Sequence, residues 1–256
     1  MTTPVLHYIY DPLCGWCYGA KPLIDAARGI VPVVAHGGGM MTGAQRRPVS
    51  AQLRDYVMPH DQRIAEYTGQ PFGEAYFEGL LRDTTAVFDS APPITAVLAA
   101  EQLAGRGLEL LGRLQTAHYV EGRRISDKDV LEELATEIGL PTEAFVTAYQ
   151  AARGEPTHTH IKDSRKLLGQ VGGQGFPTLV LELDGRYQVV DFGAFIGKPD
   201  AFAQWLRAPA QSLNDSAPAC GLNGCDESKV KARSTVFELL AINKFFTKLT
   251  LCLNDG

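Results

Sequence analysis

The chain has 256 residues, 45% hydrophobic and 21% charged, an ordinary balance for a folded protein with a substantial core. Its net charge of −5 offers no basic field to attract nucleic acid or an anionic membrane, and neither is expected as a partner. The five cysteines are odd in number and split between the two ends, unlike the dense framework of a disulfide-stapled secreted domain.

The opening MTTPVLHYIYDP lacks the basic start and long apolar stretch of a secretory signal, and no apolar run reaches the roughly 18 residues of a membrane span, so the cytoplasm is the expected location. Val5 to Tyr10 is β-branched and aromatic with apolar residues on both faces, which predicts a strand inside a covered sheet. From Gly15 the pattern turns helical: Leu23, Ile24, Ala27 and Ile30 share a face, Gly29 is the stop, and Pro22 predicts a kink. Val31 to Ala35 reads as a second strand, with Pro32 at its start. Strand, crossover helix and strand make a right-handed parallel unit.

More than a hundred residues of helical pattern follow. The clearest helix spans Ser126 to Ile138, with Ser126 as cap, Asp129 at the capping-box position, Val130, Leu131, Leu134 and Ile138 as its stripe, and Gly139 as its end. Weaker patterns cover about 50–67, 93–104, 107–121, 141–152 and 158–171. Strand character returns after Gly172-Gly173-Gln174-Gly175: Thr178–Leu183 and Tyr187–Phe192 flank Asp184-Gly185, a strong hairpin signal. A last helix, about 197–207, turns Phe202, Trp205 and Leu206 inward. The order is βαβ, a helical block, then ββα: an α/β fold whose small mixed sheet is interrupted by an insertion. From Ala208 the composition becomes that of a linker. Ser234 to Leu253 is amphipathic and rich in Phe and Leu, which fits docking on the body, contacts between copies, or a segment foreign to the rest.

The chemistry concentrates in Tyr10-Asp11-Pro12-Leu13-Cys14-Gly15-Trp16-Cys17. A thiolate, not a thiol, attacks disulfides, and a cysteine where a strand hands over to a helix is favoured as the anion by unpaired N–H groups and the helix dipole. Cys14 holds that position. Cys17, one turn on and partly buried, is placed to resolve the mixed disulfide. Gly15-Trp16 contains neither His nor Pro, which predicts a milder oxidant than an enzyme with a His-assisted thiol. Two other readings stand beside the redox pair: a zinc knuckle, which needs a second doublet such as Cys220 and Cys225, and a pair of buried structural cysteines.

The order strand, CGWC, helix, strand, long helical block, then Gly-Phe-Pro-Thr before a hairpin resembles the DsbA family of thioredoxin-fold oxidoreductases over roughly residues 4–207. YDPLCGWCYGAKPL and GQGFPTLVLELDG look like its cytoplasmic, disulfide-isomerase-like branch, which includes the FrnE-like proteins. The resemblance implies a thioredoxin-like fold divided as residues 1–40, a helical insertion at 41–157, the second part of the fold at 158–207, and a linker and extension at 208–256. It implies that Pro177 is cis and faces the cysteines, so that Phe176 offers backbone hydrogen bonds to an extended substrate; a plain strand-starting proline is the other reading. Ala219-Cys220-Gly221-Leu222-Asn223-Gly224-Cys225 resembles a motif carried near the C terminus of some FrnE-like proteins, where it is associated with a second redox pair. Cys252 has no evident partner.

Met40, with Gly15, Trp16 and Phe176, is expected to border an apolar substrate groove, and the backbone of His36 to Met41 to line the site; Met41 fits the groove or the core equally. His158 and His160 read as a solvated helix end and His7 as a satisfied core residue. The expected function is a thiol-disulfide oxidoreductase of isomerase or reductase type, with no metal or dissociable cofactor. Its expected partners are protein or peptide thiols and disulfides, glutathione or a thioredoxin-type reductant. The alternatives are a DsbA-fold isomerase or transferase acting on a small molecule with glutathione, a zinc-dependent module using all four paired cysteines, and a chaperone.

Overall fold

The structure, a computed structural model, describes residues 3–207. Its centre is a four-stranded sheet in the order β2-β1-β5-β6, formed by β1 (Val5–Tyr10), β2 (Val33–Gly37), β5 (Thr178–Leu183) and β6 (Arg186–Val190). β1 runs parallel to β2 and antiparallel to β5, and β5 antiparallel to β6. The mixed sheet follows from the connections. A crossover through α1 (Gly15–Gly19) and α2 (Lys21–Arg28) returns the chain parallel. The hairpin turn at Asp184 (φ 52°) and Gly185 (φ 73°) reverses it with the twist that paired strands need.

Leu6, Tyr8 and Tyr10 alternate onto one face and enter the main core with Leu179 and Leu181 of β5 and Leu23, Ile24 and Ala27 of α2. Helix α9 (Pro199–Leu206) closes this side with Phe202 and Leu206, while Trp205 is half-buried. Each such side chain contributes roughly 1.5–3 kcal/mol through burial. The opposite face carries His7 and His36, and α8 (Glu155–Gln170) packs on β2.

Between β2 and β5 the chain builds a ribbon of two short strands, β3 (Arg47–Pro48) and β4 (Val87–Phe88), and five more helices among the described residues. These are α3 (Ala51–Thr68), α4 (Ala91–Ala104), α5 (Gly107–Tyr119), α6 (Lys128–Glu137) and α7 (Thr142–Ala152). A π turn at Ala75–Gly79 lies between α3 and β4. Helix α4 is apolar almost all round because α5, α6, α7 and α8 all pack on it, burying Ile94, Ala96, Val97, Ala99 and Ala100. No helix among the described residues is long and apolar enough to cross a membrane.

Several expectations shift, and β6 stops at Val190 where a strand to Phe192 was expected, because Phe192 opens a 3-10 turn. β2 begins at Val33 rather than Val31: Pro32 has no N–H for the ladder, and only its carbonyl joins, accepting from Leu6 at 2.9 Å. The first helix is not kinked but divided at Ala20, and Pro22 sits in the first turn of α2. Lacking an N–H, Pro22 leaves the Tyr18 carbonyl open, and the Gln70 amide donates to it at 3.1 Å. Ser126 does not cap α6, whose N-cap is Asp127 with no side-chain bond. Its hydroxyl instead accepts from Asp89 N and donates to Asp89 O, both at 3.1 Å, tying this turn to the start of α4.

Candidate active site

β1 ends at Tyr10, and the loop Asp11–Leu13 delivers Cys14 as the N-cap of α1, in extended conformation with φ −96° and ψ 114°. Cys17 N and Tyr18 N both donate to Cys14 O, at 2.9 and 3.1 Å, so the first turn closes directly on the cysteine. Both thiols are free. Cys14 retains 7% of its surface, whereas Cys17 retains none. Partial burial was expected for Cys17; the fold removes it from solvent completely, beneath Cys14. Burial, together with its hydrogen bond to Cys14, pushes the Cys17 thiol well up. The Asp11 N–H donates to Cys17 Sγ at 3.4 Å, and the Tyr8 hydroxyl donates to Cys17 O at 3.1 Å.

The loop before β5 completes the site. The Phe176–Pro177 bond is cis, and the Cys14 thiol donates to the Phe176 carbonyl at 3.4 Å. Trp16, Gly15, Phe176 and Met40 are all half-buried, whereas Met41 is 4% exposed and belongs to the core. The backbone of 36–41 does reach the site: Gly38 lies so close to Phe176 that a Cβ on it would sit 2.0 Å from the ring.

Asp11 holds these pieces together. It is fully buried, and its carboxylate accepts from Leu13 N (2.9 Å), the Ser90 hydroxyl (2.9 Å) and Met40 N (2.5 Å). Burial raises its pKa against the opposing pull of these bonds. From the helical side, Arg165 of α8 donates to Gly38 O at 2.7 Å and also to Gly39 O, while the His160 ring accepts from Gly37 N at 2.9 Å. His160 is therefore half-buried and structural rather than part of a solvated end, and His158 remains exposed. His7 bonds His36 (3.0 Å) and Glu182 (2.8 Å) on the far face of the sheet.

Sequence reasoning overlooked Asp11, Tyr8 and Arg165, and misread His160. Asp11 had a signal: a charged residue at the end of a buried strand, three positions before Cys14, needs partners. The two α8 residues had none, because nothing local says which loop that helix overlies. Cys220, Cys225, Cys252 and the segment 234–253 lie outside the described residues. Among the described residues, no group of three or more His, Cys, Asp or Glu side chains is placed to hold a metal ion.

A dithiol opening a helix after a central strand, facing a cis-proline loop, defines a thioredoxin-fold thiol-disulfide oxidoreductase. No protein-family model matches the chain, and no curated protein matches it. Among solved structures it is similar to the cytosolic disulfide reductase DsbM from Pseudomonas aeruginosa, at 57% identity over 81% of this chain and 99% of that one, with a TM-score of 0.77. A second structure of that reductase, with GSH, matches at 55% identity over the same 81% and 99%, with a TM-score of 0.76. A protein from Nitrosomonas europaea shares the fold at 24% identity, over 84% of this chain and 100% of that one, with a TM-score of 0.67. The chain belongs to the DsbA family of thioredoxin-fold oxidoreductases.

Proposed function

We propose that the chain is a cytoplasmic disulfide reductase that acts on protein or peptide disulfides through Cys14 and Cys17 and takes its electrons from glutathione. The observation that carries this is the Cys14 thiol lying 3.4 Å from the carbonyl that precedes cis-Pro177, with Cys17 buried one turn below it. Cys14, as thiolate, attacks one sulfur of the substrate disulfide; a Cys14–substrate bond forms, the substrate bond breaks, and one substrate thiol leaves. Cys17 loses its proton and attacks Cys14 Sγ, releasing the second thiol and leaving a Cys14–Cys17 disulfide. Two glutathione molecules restore the dithiol and leave as glutathione disulfide. During attack the substrate backbone bonds to the Phe176 main chain, and Gly15, Trp16, Phe176 and Met40 border its side chains.

Two features of the comparisons support this reading: the similar Pseudomonas protein is a cytosolic disulfide reductase, and one of its structures is with GSH. The small-molecule alternative requires one nucleophile only, and here a second thiol is built in beneath the first, bonded to Asp11 N. Equilibration with glutathione buffers followed by mass spectrometry tests the assignment. Cys17→Ser should trap one glutathione on Cys14, and Cys14→Ser should trap none, because Cys17 is out of solvent. A stable adduct on Cys17 of the Cys14→Ser variant, with none on Cys14 of the other, reverses attacker and resolver.

A further inference from the structure

The stretches that carry the residues of the site, 12–24, 36–54 and 164–181, contain no Asp or Glu and six Lys or Arg, in a protein whose net charge is −5. Asp11, just before the first stretch, is buried. Three of the six cations are engaged by acids outside these stretches: Lys21 by Asp25, Arg46 by Asp89 and Arg54 by Asp55. Arg47 of β3 is half-buried. Arg165 and Lys166 of α8 are exposed, as is Lys162 one turn before them, and among the described residues no carboxylate pairs with any of the three.

Spaced at i, i+3 and i+4, Lys162, Arg165 and Lys166 share the outer face of α8, away from the buried Thr157, Ile161 and Ser164. The stripe starts at the site. Arg165 donates to Gly38 O at 2.7 Å and to Gly39 O, and Gly38 lies against the ring of Phe176, whose carbonyl accepts from the Cys14 thiol. Both acceptors are neutral carbonyls, so the guanidinium keeps its full charge. That charge is felt beside the dithiol: Asp11, pushed up by burial, is drawn back by its bonds from Met40, Leu13 and Ser90 and then by Arg165. The acids of α8 stand to either side of the stripe. Glu155, at the start of the helix, accepts from the Thr159 hydroxyl at 3.2 Å, and Asp163 acts on His160 at the flank.

We propose that the outer face of α8 docks an acidic segment of the protein or peptide substrate, beside the disulfide that Cys14 attacks, with Lys162, Arg165 and Lys166 as its cationic partners. This deepens the function proposed above and rests on it. A single exposed ion pair contributes little, but three adjacent cations with no local partner act together on encounter and orientation. The net charge of −5 repels an acidic protein at most approaches, whereas this face attracts it and leads it to the dithiol. From Lys162 to Lys166 the helix rises about 6 Å, so two or three extended acidic residues flanking the substrate cysteine are long enough to cover the stripe.

Three peptides, each joined through its one cysteine to the same small thiol and flanked by a short run of Glu, Gln or Lys, test this on the full chain with saturating glutathione. At about 20 mM salt the wild type should reduce the Glu peptide with a kcat/KM about tenfold above that of the Gln peptide, and the Lys peptide should be the poorest; the differences should collapse at about 500 mM. Lys162→Glu combined with Lys166→Glu leaves the Arg165 contacts in place and should invert the order of the Glu and Lys peptides. The readout is a ratio within one protein, so a general loss of activity does not move it, and the wild-type salt series stands if the double variant fails to fold. Fluorescence anisotropy with a disulfide-free Glu peptide reports docking without turnover: salt-sensitive binding by a protein that reduces none of the three peptides would uphold the docking face and break the reductase reading. Equal efficiencies for the three peptides at low salt, or a Glu preference that survives the double charge reversal, would overturn the proposal. So would a charge reversal that raises KM for glutathione and leaves the peptide ratio untouched, because the stripe would then serve the carboxylates of glutathione.

Discussion

Asp11, whose N–H donates to Cys17, and Asp61, which lies against Gly15, are two buried carboxyls, and their hydrogen bonding separates their behaviour. Asp11 takes three donors and acts as a tie between the Cys14 loop, the Met40 loop and Ser90. Asp61 takes one and is correspondingly costly to ionise. Its folded value of about 7 lies above the ordinary 3.8, so between those limits the native chain holds a proton that the unfolded chain has lost, and stability falls as pH rises through the window. The penalty is complete above pH 7 and on the order of 4 kcal/mol for a shift from 3.8 to about 7. Asp61→Asn keeps an acceptor for Tyr76 and escapes the penalty, so denaturant unfolding should show its stability relative to wild type growing from pH 4 to pH 7 and then levelling. A difference that does not vary with pH would show that Asp61 is not a buried titrating group.

At the scale of elements, the contact between α1 and α3 decides how closely the helical region abuts the dithiol. Gly15→Ala places a methyl group against the side-chain ends of Asp61 and Ile64, both buried and the first held by Tyr76, and should cost about 1–3 kcal/mol together with a loss of disulfide reduction. Full stability in that variant would mean that the helices separate easily. Ser50 and Ser126 make a second comparison, since each serine stands just before a helix. Ser50 caps its helix, accepting from Leu53 N at 3.1 Å, and Ser50→Ala should cost about 1 kcal/mol. Ser126 spends its hydroxyl on both backbone atoms of Asp89, so Ser126→Ala should weaken the junction of α4 and α6, with hydrogen exchange rising at Asp89 and not along the first turn of α6. Helix positions were legible most clearly at 126–138, where the apolar stripe is regular, and more weakly at 50–67, 93–104, 107–121 and 141–152, where burial on several sides, as in α4, blurs the period. Cap assignments were not, because a serine has one hydroxyl and several backbone groups within reach once the chain has folded.

For the whole molecule, the cost of burying ionisable groups has two signs. His118 is 2% exposed, held down to about 3 by burial among Phe88, Tyr76 and Tyr119. His36 is lowered to about 4 by burial first and then by His7 and His160. A histidine with a depressed folded value stays neutral while the unfolded chain takes up its proton, so stability is lost as pH falls from about 6.5 toward those values, the reverse of the Asp61 effect over much of the same range. His118→Gln should therefore resist acid better than wild type, its relative Tm rising steadily as pH drops from 6.5 to 4. A constant difference would place the acid sensitivity elsewhere. The same architecture explains why the site spans distant parts of the chain: β1 supplies the dithiol, the loop before β5 supplies Phe176 and Pro177, and α8 clasps the glycine loop between them.

The amino-acid order by itself determined the two halves of the sheet, the helical block between them, the dithiol at a strand-to-helix junction and the DsbA-family resemblance. All of these rest on local periodicity or on residues adjacent along the chain. The tertiary structure alone decided that Cys17 is wholly buried, that Arg165 and His160 hold the loop beside Phe176, and that Asp61 of α3 lies against Gly15. These depend on which helix face meets which loop. That is settled by packing the apolar stripes of the whole molecule together, and no spacing within a single segment encodes it.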